Sequence, residues 1–411
     1  MIVKLVVGDL VVGMYLHDLG ASWIKNPFWR NSFLITASKE IDSLKASGIA
    51  EVWIDTGKGL DLPQSNTESA SALASTPHAT ADLTAAPQEY PPAGQIAPAS
   101  MAEELQRATR ICADSKVAVA SMFQEARMGN TVDAAGVTRL VQDISDSVSR
   151  NANALISLAR LKTADDYTYM HSVAVCAMMI ALARQLGQGQ EQVRAAGVAG
   201  LLHDMGKAML PMAVLNKPGK LTPGEFAIVK SHPELGHKIL QRGGTADAMA
   251  LDVCLHHHEK IDGTGYPENL RAEQISLHAR MAAVCDVYDA VTSNRPYKTG
   301  WDPAESMRKM GGWVGTHFDN VVFHAFAKSL GIYPVGSLLL LTSGLIGVVT
   351  APGSRSLTLP VVKVFYGTKP GQRVTPYSVD LAEPGCREKI VSRQDPAKWR
   401  FADLNELWMA E

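Results

Sequence analysis

Apolar and polar positions alternate at the start of the chain, in Ile2-Val3-Lys4-Leu5-Val6-Val7 and again in Glu51-Val52-Trp53-Ile54-Asp55, which predicts short strands. Between them Lys39 to Ser47 predicts a short helix ending at Gly48, and Asp9, Gly13, Gly20 and Pro27 punctuate the segment. Residues 1–62 therefore read as a small mixed α/β module. The pattern then stops. Residues 63–100 hold six prolines among many Ala, Ser and Thr, and no Lys or Arg occurs from Gly59 through Gln106. Such a stretch buries too little apolar surface to offset its ordering entropy, so a flexible linker is expected.

From Met101 the apolar spacing becomes helical, with residues 101–139 forming a connector. Leu140, Ile144, Val148 and Leu155 line one face of a long helix, with Ala152 between the last two. Packing inside the chain is the leading reading of this stripe, and a homodimer-forming stalk is the other. Thr222-Pro223-Gly224-Glu225 is a capping box with proline at the first helical position, so a helix starts there. Asp302-Pro303-Ala304-Glu305 repeats the device, and Gly331 is placed to close the last helix. Beyond Tyr333-Pro334 the pattern returns to strands at Leu338 to Leu341, Ile346 to Val349 and Leu359 to Tyr366. The expected fold is mainly α, with a helical bundle over 140–335, the mixed module ahead of it and a small β-rich extension over 336–411.

At 411 residues the chain is long enough for two or three domains. A formal net charge of −2 argues against binding duplex nucleic acid, which needs a concentrated basic surface. Positive charge must be local and suited to a small anion. The five cysteines are odd in number and scattered, which implies no disulfide framework; Cys176, Cys254 and Cys285 sit in apolar helical stretches as small core residues. No segment reaches the roughly 18–20 apolar residues of a membrane span, and Met1 to Met14 lacks a signal peptide's basic region and cleavage site. The run from Leu338 to Thr350, broken by Thr342, Ser343 and two glycines, reads as a hairpin. A cytoplasmic protein is expected.

The chemistry is concentrated. Of twelve histidines, seven lie between 171 and 258. His171, His203-Asp204, His232, His256-His257-His258 and Asp286 follow one another with no cysteine at zinc-finger spacing. Imidazoles with carboxylates suit first-row divalent metals, and six or seven donors exceed what one ion needs, so two ions sharing a carboxylate are expected. Adjacent helical residues diverge by about 100°, so His203 and Asp204 can face neighbouring ions. Asp286 lies in the apolar run Met281-Ala282-Ala283-Val284-Cys285, where an unpaired buried carboxylate is costly and a metal removes the cost.

His203-Asp204-x-Gly206-Lys207, His232-Pro233-x-x-Gly236 and His257-His258-Glu259-x-x-Asp262-Gly263-x-Gly265-Tyr266-Pro267 together resemble an HD-GYP domain, a bacterial branch of the HD metal-dependent phosphohydrolases. Asp286-Val-Tyr-Asp289-Ala and Asn294-Arg295-Pro296-Tyr297-Lys298 extend the likeness over about residues 140–335. The first sixty residues resemble a module of unknown function often fused ahead of such domains. The resemblance implies an HD-type bundle that hydrolyses cyclic di-GMP to linear pGpG or on to GMP. It implies one ion on His171, His203, Asp204 and Asp286, and a second on Asp204, His232, His257 and His258. Motif register makes His256 the odd one out. Some relatives hold a third ion through a Glu one helical turn before the first histidine; that position is Tyr167 here, so two ions are expected, iron or manganese first, then nickel or zinc.

By the same resemblance Asp204 and Lys207 are the catalytic pair, with Lys207 serving the leaving ribose oxygen. Tyr266 shapes the pocket rim and packs on the ligand. Arg295 and Lys298 clasp the second phosphate. Asp289 orients a ligand group or Lys207. His237, His278, His317 and His324 have no motif support and read as structural. A signalling protein is the expected partner of the N-terminal module. The rival readings are a nucleotide receptor without turnover and a phosphohydrolase for another cyclic dinucleotide.

Overall fold

A computed structural model of the chain describes residues 2–18, 33–46, 50–60, 97–160, 167–217, 219–244, 246–293, 300–353, 355–369 and 371–409. The chain divides into two compact units, Met1–Gln95 and Ile96–Glu411. In the first, β1 (Ile2–Val6), β2 (Tyr15–Asp18), β3 (Phe33–Leu34), α1 (Ser38–Ala46) and β4 (Glu51–Asp55) follow in order. The strands form an antiparallel sheet ordered β1-β4-β2-β3. Strand alternation sends Leu5, Leu16, Val52 and Ile54 to one face, where they share a core with Ile41 and Leu44 of α1. Apart from its last four residues, the expected linker lies outside the described residues.

The second unit opens with α2 (Met101–Met128), whose first turn is closed by a reciprocal Ser100–Glu103 capping box. In α3 (Ala134–Arg160), Asn151 leaves helical geometry (φ −160°, ψ 100°), so the expected long helix is two segments across a kink. Leu140, Ile144, Val148 and Leu155 are all buried, and α3 packs on α2, α4 (Tyr167–Gln185) and α5 (Gln190–Leu202). The stripe that offered a dimer stalk is thus internal core. Helix α4 is buried throughout residues 170–183, as expected of a helix that is apolar all round.

A 3-10 turn (Met205–Met209) follows α5, then α6 (Met212–Leu215), α7 (Pro223–Lys230), α8 (His232–Gly243), α9 (Ala248–His256), α10 (Leu277–Thr292), α11 (Pro303–Gly311) and α12 (Asn320–Leu330). Helix α4 touches α2, α3, α5, α10 and α12 and so forms the hub. The caps fall where the sequence places them. Thr222 and Glu225 exchange backbone-to-side-chain bonds, Asp302 Oδ1 accepts from the Glu305 amide at 3.0 Å, and Gly331 closes α12 with φ 80°.

The chain ends in β5 (Leu338–Leu341), β6 (Leu345–Ala351), β7 (Val361–Gly367), β8 (Gln372–Asp380), β9 (Ile390–Gln394), α13 (Pro396–Trp399) and α14 (Leu404–Met409). The sheet is antiparallel, ordered β8-β7-β6-β5-β9. Strands β8 and β9 were not expected: much of β8 is exposed and polar, and β9 is held as an edge by backbone pairing with β5. Buried Trp408 joins Met101, Leu105, Ala154, Val335, Ile346 and Phe365 in one core. The extension is therefore packed onto the start of α2 and the second segment of α3. Among the described residues no helix is long and apolar enough to cross a membrane.

Candidate metal centre

Five stretches of chain meet at one point. His171 projects from α4, and His203 caps α5, after which Asp204 turns the chain into the 3-10 segment. A Cβ on Gly206 would stand 1.8 Å from the His232 carbonyl oxygen and 2.5 Å from the Gly236 amide. A Cβ on Gly236 would meet the Gly206 amide at 2.8 Å and Cys254 Sγ at 2.6 Å. The two motif glycines thus let backbone lie on backbone, which brings His232, the first residue of α8, to Asp204. His257 and His258 leave the end of α9, and Asp286 comes from the middle of α10.

Asp204 sits at the centre. Its Oδ2 lies 3.3 Å from His171 Nε2 and 3.4 Å from His203 Nε2. Its Oδ1 lies 3.2 Å from His232 Nε2 and 3.7 Å from His257 Nε2. Asp286 closes the ring, with Oδ1 3.1 Å from His171 Nε2 and Oδ2 3.7 Å from His258 Nδ1. His171, His203, Asp204, His232, His257 and Asp286 are buried, while His258 is only partly so. Three overlapping sets of donors have their ligand atoms within 4.8 Å of one another: His171-His203-Asp286, His203-Asp204-His257 and His232-His257-His258.

Hydrogen bonding on the far side of the rings fixes which nitrogen faces inward. The Nδ1 of His203 donates to the Gly200 carbonyl (2.8 Å), that of His232 to Val229 (2.7 Å), and that of His257 to Val253 and Cys254 (3.1 Å each). A carbonyl can only accept, so each Nδ1 carries a proton and each ring turns its Nε2, the nitrogen available to a metal, to the centre. His232 Nε2 and His257 Nε2 face each other at 3.3 Å, and His203 Nε2 and Asp204 Oδ1 are buried with no hydrogen-bond partner. Converging lone pairs and orphaned buried acceptors fit a divalent cation, and N/O donors of this kind suit first-row metals.

The electrostatics divide the cluster. Burial alone would drive the His171 proton off, but hydrogen bonds to Asp204, Asp286 and Asp289 raise its pKa to about 10. Burial likewise disfavours charge on Asp204, yet Lys207 and His203 hold its carboxyl well below the usual range. Asp286 is held low in the same way by His171. On the other side, burial and the neighbouring imidazoles push His257 well below its ordinary value, and burial takes His258 down to about 3. Both rings are therefore neutral, the form in which imidazole binds metal.

The remaining expected residues are mostly placed. Lys207 Nζ is ion-paired with Asp204 Oδ2. Asp289 Oδ2 lies 2.6 Å from His171 Nδ1, so the partner it meets is His171, where the sequence pointed to a ligand group or Lys207. Tyr266 packs on His258, ring centroids 4.7 Å apart, where the sequence pointed to the ligand. His256 turns away, with Nδ1 2.7 Å from Asp252 Oδ1 and Nε2 3.4 Å from Glu268 Oε2, leaving the later two histidines facing the centre. Arg295 and Lys298 lie outside the described residues. Sequence reasoning gave no role to Glu259. Its buried carboxylate accepts from the Glu268 and Leu270 amides (2.7 and 3.1 Å) and ties down the loop after Tyr266-Pro267. A buried acid inside a polar turn motif was the available signal. Of the unassigned histidines, His278 pairs with Gln188 at 3.0 Å, and His317 stacks on Phe318 with centroids 4.2 Å apart.

Comparison with known proteins shows which family the chain resembles. Residues 143–322 match the HD domain family, and residues 2–137 match a domain of unknown function (DUF3391). The chain is 49% identical over 409 residues to a cyclic di-GMP phosphodiesterase of Pseudomonas aeruginosa, covering 99% of this chain and 96% of that protein. It is 38% identical over 184 residues to the cyclic di-GMP phosphodiesterase response regulator RpfG of Xanthomonas campestris pv. campestris, covering 44% of this chain and 48% of that one. A 3′3′-cGAMP-specific phosphodiesterase of Vibrio cholerae is 36% identical over 139 residues, 34% of this chain and 27% of its own length.

Proposed function

Because this chain belongs to the HD-GYP branch of the HD metal-dependent phosphohydrolases, we propose that it hydrolyses cyclic di-GMP, opening the ring to pGpG. The observation that carries the reading is the convergence of His171, His203, Asp204, His232, His257, His258 and Asp286, with the Nε2 atoms of His203, His232 and His257 turned inward and two buried acceptors unpartnered. In this reading His171, His203, Asp204 and Asp286 hold one divalent ion and Asp204, His232, His257 and His258 hold the other, with iron or manganese the first choice. Such a pair, when bound, acidifies an attacking water and neutralises phosphoryl charge as it builds.

The chain's own residues do the rest. Asp204 offers one oxygen to each side of the cluster, which sets the spacing between the two halves. Asp289 holds the His171 ring by Nδ1, and Tyr266 supports the His258 ring. Lys207, held at Asp204, supplies positive charge and a proton to the departing ribose 3′-oxygen. Arg295 and Lys298 are assigned to the second phosphate by sequence alone. A cytoplasmic location accords with the absence of a membrane-crossing helix among the described residues.

The test is to incubate purified wild type and Asp204→Ala with cyclic di-GMP across Fe(II), Mn(II), Ni(II) and Zn(II). Products are separated by chromatography and metal is counted by mass spectrometry. Metal-dependent pGpG or GMP, lost in the variant, is expected. A wild type that holds two ions and binds the nucleotide without cleaving it would sink the reading in favour of a receptor. Faster cleavage of 3′3′-cGAMP in a parallel arm would reassign the substrate.

A further inference from the structure

Helix α7 ends at Lys230, two residues before His232. Its ammonium lies 5.0 Å from the Tyr266 ring centroid and 5.2 Å from that of Phe226, one helical turn earlier. The Tyr266 ring in turn packs on His258. Lys230 therefore stands one aromatic ring away from the candidate metal centre. The end of α7 is also anchored to that centre, because the carbonyl of the adjoining Val229 accepts from His232 Nδ1.

The surroundings of this lysine differ from those of its neighbours. Lys207 is paired with Asp204 and Lys217 with Glu225, whereas among the described residues Lys230 has no carboxylate partner. Lys230 is exposed, and the Phe226 ring beside it is 47% exposed. Two ring faces position an ammonium through their quadrupoles without neutralising it. The result is a placed cation at the rim with its hydrogen-bonding capacity open to an anion.

A cyclic dinucleotide carries two phosphodiesters, and only one can occupy the cleavage position at a time. We propose that Lys230 binds the phosphate of the substrate that is not being cleaved, held in place by Phe226 and Tyr266. This rests on the reading of the site as a cyclic-dinucleotide phosphodiesterase. Lys230 is then a substrate-binding residue whose charge lowers KM, while bond breaking is left to the buried cluster.

The experiment compares metal-loaded wild type, Lys230→Met and Lys230→Arg on two substrates, cyclic di-GMP and bis(p-nitrophenyl) phosphate, which has a single phosphodiester. Methionine keeps the apolar stem against the rings and removes the charge. The expected result for Lys230→Met is a KM for cyclic di-GMP raised roughly tenfold, the loss of one charge-assisted contact, with kcat within about twofold. The small substrate should be unaffected, and Lys230→Arg should restore the dinucleotide KM. Equal losses on both substrates would overturn the proposal, since Lys230 would then act only by propping Tyr266 against His258. An unchanged dinucleotide KM in Lys230→Met would also overturn it. If wild type cleaves bis(p-nitrophenyl) phosphate and leaves cyclic di-GMP intact, the substrate reading itself falls and takes the proposal with it, an outcome visible without any Lys230 variant.

Discussion

Glu104 and Asp204 are both fully buried carboxylates in the same helical unit, yet their surroundings are opposite. Glu104 is completed by the chain. Its Oε2 accepts from Arg150 Nε (2.6 Å) and Arg107 Nη1 (3.2 Å), and its Oε1 accepts from Arg150 Nη2 (3.0 Å). The bidentate pair joins α2 to α3 just before the Asn151 kink. Asp204 is surrounded by four imidazoles and one lysine, and its Oδ1 still has no hydrogen-bond partner. A buried charge whose two oxygens are both met by donors of the fold serves folding. One left open among converging lone pairs is arranged for something that arrives later.

The largest expected effect follows from the open site. Asp204→Ala should lower phosphodiesterase activity by about 10³-fold, several kcal/mol of lost transition-state stabilisation, and abolish the rise in Tm that added Mn(II) gives wild type. A variant that keeps the metal-dependent Tm rise would break the contrast. The closed site should respond the other way. Glu104→Ala leaves Arg150 without its partner and should cost about 3 kcal/mol in urea unfolding, with kcat of the folded fraction unchanged. A fall in kcat without loss of stability would mean that the α2–α3 joint belongs to the catalytic machinery.

Smaller effects sharpen the comparison. Asp289→Ala removes the partner of His171 Nδ1 and should weaken metal affinity by about 10–100-fold in a chelator competition, leaving the Glu104 joint untouched. The smallest effect is one of pH. Burial raises the Glu104 pKa, but the hydrogen bonds from Arg150 override it and the net value lies below the ordinary 4.5. A depressed carboxylate stabilises the fold fully above its unfolded pKa, and that contribution is lost as pH falls through the folded value. Glu104→Gln should therefore flatten the loss of Tm on acidification below pH 4.5; an acid limb of unchanged slope would show that the pair contributes nothing there.

Much of this is legible in the amino-acid sequence. A buried aspartate in an apolar helical run is unfavourable unless something binds it, so local context was enough to nominate Asp286, while His171 and Asp204 stood out only together with the other histidines and the motifs they form. Caps at Thr222 and Asp302 were readable because they are local. Strands β8 and β9 were not, since an exposed polar strand is defined by the neighbour that pairs with it. The Asn151 kink was hidden within an otherwise regular stripe. It is held from outside α3, by the Arg150 carbonyl accepting from the Ala99 amide and by Asn151 Nδ2 donating to the Ala99 carbonyl.

The sequence by itself determined the kinds of donor, their order, the mainly helical class and the turn chemistry, because each depends on residues within a few positions of one another. The tertiary structure decided which nitrogen of each ring faces the centre, that His257 and His258 turn inward while His256 binds Asp252, that Asp289 meets His171, and that Lys230 sits against Tyr266. Those facts depend on the backbone contact between Gly206 and Gly236 and on the packing of α10 against α4, which join residues up to 118 positions apart. Periodicity carries no information about such pairs, because a side chain's direction is known only once the opposing element is in place.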